Sequence, residues 1–171
     1  MQKLLFGISI LLLGFFAIFN SLKTFNPEPV RAEGFVKTDV IKGKEPQRII
    51  IPEVGIDIPV KYSKIIGGYW QVFEDVAGWG EGSGYPGESG NQVIFAHARV
   101  GLFLPLRNVK SDTKIYVMQE NNWFTYKVTE IKEVYPNQIE VVKPTIDETL
   151  TLYTCSGYQD SKRLIVVAKR I

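Results

Sequence analysis

The sequence predicts an all-β domain, a sandwich or a closed barrel, and three observations carry that expectation. Apolar residues alternate with period 2 from Arg48 onward. The segments so patterned are short and bounded by Gly, Pro, Asn and Asp turn signals. Two pairs of them follow one another across loops short enough to make hairpins. Many short strands of this kind are accommodated by a sandwich or a barrel.

The chain opens differently. From Leu4 to Leu22 it reads "LLFGISILLLGFFAIFNSL", without a charge, between Lys3 and Lys23. A helix of about 20 apolar residues crosses a bilayer. A cleavable signal would show small residues at a cleavage site, and "FAIFNSLKTF" offers no A-x-A-like pair. Residues 1–22 are therefore expected to be a retained transmembrane anchor. The expected location is the cytoplasmic membrane, single-pass, with the folded part outside the cell. Basic residues flank both ends, so the positive-inside rule barely decides the orientation. Residues 23–47, "KTFNPEPVRAEGFVKTDVIKGKEPQ", are polar and punctuated by Pro and Gly; they read as a tether, part of which is expected to pack as a helical turn.

The folded domain is expected over residues 48–171. In "VGIDIPV" the residues Val54, Ile56, Ile58 and Val60 alternate with Gly55, Asp57 and Pro59. Pro52 and Pro59 suggest edges or bulges, because proline donates nothing to a ladder. "TKIYVMQ" and "WFTYKVTEIKEVY" form a hairpin across "ENN", with Phe124, Tyr126 and Val128 on one face. "TLTLYTC" and "RLIVVAKRI" close the chain as two strands joined by "SGYQDSK". Between these lie the Gly-rich "GWGEGSGYPGESGN", read as a loop, and "VKPTIDET", read as a turn or short helix. There is no internal repeat.

Composition excludes several classes of function. Hydrophobic residues at 45% and charged residues at 22% are ordinary for a globular protein. A net charge of +2, without a basic stripe interleaved with aromatics, gives no reason to expect nucleic acid. One cysteine and one histidine preclude an internal disulfide and leave no Cys/His cluster for zinc.

Those two residues, Cys155 and His97, carry the chemical interest. A cysteine in an apolar strand is commonly a small buried hydrophobe. Here Leu150, Leu152 and Thr154 share one face of the strand, leaving Thr151, Tyr153 and Cys155 on the other. With the leucines in the core, the thiol faces outward at the mouth of a loop. His97 ends "QVIFAHA" at the tip of another apolar strand. Active sites on rigid scaffolds favour such strand-to-loop junctions. A thiolate is the nucleophile and needs a neighbouring cation or base, a task for which histidine is best matched. Arg163, eight positions beyond Cys155 and at the start of the next strand, would lie beside the thiol. Its guanidinium stays charged and suits a developing oxyanion. Arg99 and Arg107 are the alternative cations near His97 in sequence.

At this point the residues resemble a family. "TLYTC" matches the TLxTC signature of sortases, the membrane-anchored cysteine transpeptidases of bacterial surfaces. "RIIIPEVGIDIPV", "YPGESGNQVIFAHA", "FLPLRNVKSDTKIYV", "WFTYKVTEIKEVYP" and "CSGYQDSKRLIVVA" are similar to successive stretches of that family, so the resemblance covers residues 48–171. It implies a closed eight-stranded β-barrel with short helical turns. It further implies Cys155 as nucleophile, His97 as acid/base and Arg163 as electrostatic stabiliser, with Ala96 and Thr154 beside them as substrate-binding positions. Ala96 stands where the family commonly has glycine. The implied reaction cleaves an LPxTG-like sorting signal between threonine and glycine through a thioester, and an amine resolves it. Implied partners are surface proteins or pilins bearing that signal, and a peptidoglycan-precursor or pilin-lysine amine. No cofactor is expected. Some members of the family use calcium, but Glu130, Glu133 and Glu140 are scattered and no metal ligand is assigned.

Two other readings compete. An L,D-transpeptidase would need its histidine and cysteine in one short stretch, which this chain lacks. An inactive, membrane-anchored barrel used for binding or scaffolding is the non-enzymatic alternative, since fold alone does not fix function.

Overall fold

The computed structural model describes residues 29–171. The expected anchor over residues 4–22 lies outside the described residues. Among those described, no helix is long and apolar enough to cross a membrane.

Ten strands follow one another: β1 (Arg48–Ile51), β2 (Ile56–Ser63), β3 (Ile65–Ile66), β4 (Tyr69–Trp70), β5 (Ala77–Gly80), β6 (Gly90–Phe95), β7 (Lys114–Gln119), β8 (Asn122–Val134), β9 (Glu148–Ser156) and β10 (Lys162–Arg170). Eight of them close into a barrel in the order β1-β2-β5-β6-β9-β10-β8-β7, with β7 pairing back onto β1. Among the described residues, helical structure is confined to short 3-10 turns. The closed all-β barrel expected from the sequence is therefore the fold.

Period 2 places the apolar residues as anticipated. Along β2, buried Ile56, Ile58 and Val60 alternate with exposed Asp57, Pro59 and Lys61. Pro59 sits opposite Arg48, one residue before the pairing with β5 begins at Val60, so its missing N–H interrupts no ladder on that side. Pro52 opens a 3-10 turn, Pro52–Val54, where a missing donor is tolerated. Strands β7 and β8 pair from Gln119↔Asn122 outward, which makes the turn Glu120–Asn121. Tyr126 and Val128 point into the barrel, with Phe124 packed at its margin.

The Gly-rich stretch departs from expectation. Its first residues, with Ala77, form β5, which lies parallel to β2 and antiparallel to β6. Glycine is a poor strand former, but here only glycine fits. A Cβ on Gly80 would lie 2.5 Å from Trp70 Cε2, and one on Gly78 2.8 Å from Phe95 Cε2. Of "VKPTIDET", residues 142–149, only Val142 is helical, as the last residue of the 3-10 turn Ile139–Val142.

Two apolar clusters result. One fills the barrel, with Ile49, Ile58, Ile94, Leu106, Ile115, Leu152 and Val166 among its members. The other covers the outer face of β6, β9 and β10, where Val93, Phe95, Tyr153 and Ile165 meet Trp70, Val142, Val30 and Ala32. Residues of the segment read as a tether thus pack on the domain: Trp70 N donates to Val30 O (3.0 Å) and Ala32 N to Gly68 O (3.0 Å). No helical turn is formed among residues 29–47. Strand β9, buried on both faces, is the element from which the site is built.

Candidate active site

β9 lies between β6, which runs parallel to it, and β10, which runs antiparallel. The pairing Phe95↔Tyr153 brings the end of β6 level with the end of β9. His97, two residues beyond β6, thereby reaches the groove that Cys155 lines although 58 positions separate them in sequence. Thr154 Oγ1 donates to Ala96 O at 2.8 Å and Ala96 N to Tyr153 O at 3.3 Å, which fastens the two chain segments. On the other side Arg163 is the direct cross-strand partner of Cys155. Residues opposed in an antiparallel pair project to the same face, with Cβ atoms about 4.5–5.5 Å apart. The three sequence-predicted residues therefore converge.

They line one open groove with Glu74, Val72, Pro29, Val30, Phe95, Ala96, Tyr153 and Thr154. Its walls are largely apolar. A second, more polar groove also borders Cys155 and includes Arg107, Glu133, Ser156 and Asp160. Thr154 and Cys155 line both grooves. Ala96 and Thr154 both border the first groove, but the Thr154 hydroxyl is engaged by Ala96 O, inside the protein.

Arg163 is 1% exposed, and its Nη1 donates to Asp160 O (2.7 Å) and Lys162 O (2.9 Å). The Asp160 carbonyl is turned toward it by an unusual connection: Gln159 and Asp160 both have left-handed backbones, with φ of 51° and 56°. Such conformations cost free energy in non-glycine residues and collect at functional sites. Of the other two arginines, Arg99 pairs with Glu74 and Arg107 lines the second groove.

The electrostatics oppose charge on both Cys155 and His97. Burial pushes the Cys155 thiol above its ordinary value; Arg163 pulls it back, and Asp160 pushes it up again. Burial lowers the His97 pKa, Arg99 lowers it further, and Glu74 and Asp160 oppose the fall. With the thiol raised and the imidazole lowered, neutral thiol and neutral imidazole predominate near pH 7. The thiolate–imidazolium form is the minor one.

Sequence reasoning missed Glu74, Val72, Pro29, Val30 and Asp160. Glu74 and Val72 lie in the β4–β5 connection, and Pro29 and Val30 precede the barrel. A charged loop residue or a valine in a polar tether carries no local signal of this kind. Among the described residues, no three of His, Cys, Asp and Glu converge as metal ligands would.

Comparison with known proteins places this arrangement among relatives. The Sortase domain profile matches residues 49–171. Over 129 residues, 71% of this chain, the sequence is 31% identical to sortase A of Streptococcus agalactiae and 32% identical to sortase A of Bacillus anthracis. Those alignments cover 51% and 57% of the two relatives, so the chain spans about half the length of the curated proteins it matches. Among solved structures, a lid mutant of sortase A from Corynebacterium diphtheriae superposes with a TM-score of 0.65 at 28% identity, covering 74% of this chain and 72% of that one. Sortase C of Streptococcus pneumoniae gives 0.64 at 27% identity, covering 81% and 80%.

Proposed function

The chain belongs to the sortase family, and from that premise we propose that it is a cysteine transpeptidase acting on surface proteins or pilins through an LPxTG-like sorting signal. The observation that carries the proposal is the convergence of Cys155, His97 and Arg163 on one largely apolar groove.

The Cys155 thiolate attacks the threonine carbonyl of the sorting signal and forms a tetrahedral oxyanion. Arg163, fixed beside the thiol and always charged, stabilises that oxyanion. The His97 imidazolium gives its proton to the glycine amine as the C–N bond breaks, which leaves a thioester on Cys155. An amine of a cell-wall precursor or a pilin lysine enters next. His97, now neutral, accepts its proton as the thiolate is expelled and the new amide forms. Water in place of the amine gives hydrolysis. The apolar walls, Val72, Phe95 and Tyr153 among them, suit the leucine and proline of such a signal. No step draws on a cofactor or calcium.

Residues 4–22 serve in this reading as the anchor that holds the domain on the outer face of the cytoplasmic membrane. Full-length protein is expected in the membrane fraction. Recovery as soluble protein with an N-terminus beyond residue 22 would overturn the anchor.

The test of the chemistry is incubation of the full chain with a library of sorting-signal peptides, with and without hydroxylamine, followed by mass spectrometry. The expected products are an acyl adduct on Cys155 and, with hydroxylamine, a hydroxamate ending at threonine. Cys155→Ala should form neither. Cleavage by Cys155→Ala at the wild-type rate would end the transpeptidase reading and leave the binding or scaffolding barrel in its place.

A further inference from the structure

His97 is flanked by an ion pair that the reaction scheme does not use. Glu74, on the connection between β4 and β5, accepts a hydrogen bond at Oε2 from Arg99 Nη2 (2.7 Å). Its other oxygen, Oε1, stands 3.8 Å from His97 Nε2. Arg99 follows His97 by two positions, in a turn closed by Arg99 N and Phe103 N, both donating to His97 O (3.0 and 3.1 Å). One carboxylate therefore faces both the imidazole and the guanidinium beside it.

We propose that Glu74 is a positioning residue for the transfer reaction: set between Arg99 and His97, it neutralises the guanidinium that would otherwise oppose a proton on the imidazole. The proposal rests on His97 serving as the acid–base group.

The argument starts from chemistry. To protonate a leaving amine, His97 must carry a positive charge. Arg99 is permanently charged and lies close by, so alone it disfavours that state. Glu74 is 78% exposed at its side chain and makes no contribution to the core. What its geometry supplies is a counter-charge directed at Nε2. The other groups facing His97 are accounted for. Asp160, from the β9–β10 connection, favours the imidazolium, as Glu74 does. Cys155 and Arg163, from β9 and β10, line the same groove. Burial and Arg99 act against the charge and Glu74 and Asp160 act for it, so removing Glu74 shifts the balance further against the imidazolium.

The chain contains a single histidine, so one imidazole Hε1 signal in a proton NMR titration belongs to His97 without assignment work. Three variants are compared with the wild type: Glu74→Gln, Arg99→Gln and the double variant. Glu74→Gln is expected to lower the His97 titration midpoint, Arg99→Gln to raise it, and the double variant to return it toward the wild type. An unmoved midpoint in Glu74→Gln, or shifts of the same sign in both single variants, overturns the proposal.

The pH profile of acylation by a sorting peptide gives the second arm. Because the thiol titrates above the imidazole, a lower imidazole pKa reduces the competent fraction on the plateau between them. Well below both values the imidazole is charged in either protein and only thiol ionisation limits the rate. Glu74→Gln should therefore act about twofold to fivefold more slowly on the plateau, the scale of an exposed ion pair, and equally fast at the acid end. A uniform loss at every pH would mark a merely structural role and overturn the proposal. If the wild type fails to acylate while the NMR shifts appear as stated, the Glu74–His97 coupling stands and the transpeptidase reading falls.

Discussion

Thr154 and Ala96, the residues that immediately precede the thiol and the imidazole, are joined by a 2.8 Å hydrogen bond from the threonine hydroxyl to the alanine carbonyl. Thr154 is buried, so this bond is a spacer between two strands as much as a contact. Thr154→Val keeps the shape and removes the donor, leaving a buried carbonyl without its partner. Destabilisation of about 1–3 kcal/mol is expected, the scale of an unsatisfied buried polar group. Chemical denaturation checks it, and peptide acylation should fall with it, because the strand ends lose their lateral tie.

Arg163→Lys keeps the charge and loses the planar fork that two backbone carbonyls now hold in place. The barrel should fold, while acylation falls by about 10² to 10³, the cost of losing one preorganised oxyanion donor. Single-turnover kinetics with a sorting peptide measures this. An unchanged rate would move the oxyanion role to Arg99 or Arg107.

The Cys155 thiol is raised by burial and lowered by Arg163. Alkylation by iodoacetamide should therefore rise with pH along a curve displaced above that of an ordinary cysteine. Arg163→Gln removes the cation that favours the thiolate, so its curve should lie higher still and its rate near pH 7 should be lower. A curve for Arg163→Gln that moves to lower pH would contradict the assigned electrostatics.

Gly80 lies on β5 with the Trp70 ring where a side chain would go. Gly80→Ala should destabilise the domain by about 1–3 kcal/mol, as overpacking does. The midpoint of urea unfolding reports it. Gly55→Ala is a useful contrast: its Cβ would meet nothing within 4 Å, so its cost comes only from the left-handed backbone, φ 69°.

The sequence made the hairpins legible because their information is local. The β7–β8 pair and the β9–β10 pair announce themselves by alternation and a short turn, and with β10 comes the placement of Arg163 opposite Cys155. The parallel pairing of β6 with β9 has no such local signature. His97 was reached from the chemistry of the cysteine and from family resemblance. β5 escaped notice because its glycines answer to rings contributed by β4 and β6, which strand propensity does not register. Glu74 escaped for a similar reason: its meaning lies in Arg99 and His97, and its own loop says nothing of them.

The parallel register of β6 and β9 also orders events in time. The β9–β10 hairpin closes a short loop, whereas the Ala96–Thr154 contact spans 58 positions and must wait for a long intervening chain to be placed. During refolding the thiol is thus expected to acquire its arginine before its histidine. An immature chain then holds a cysteine next to a fixed cation but without His97. A rapid thiol-labelling pulse at successive refolding times would resolve the two stages. Simultaneous arrival of both would mean that the barrel closes in a single step.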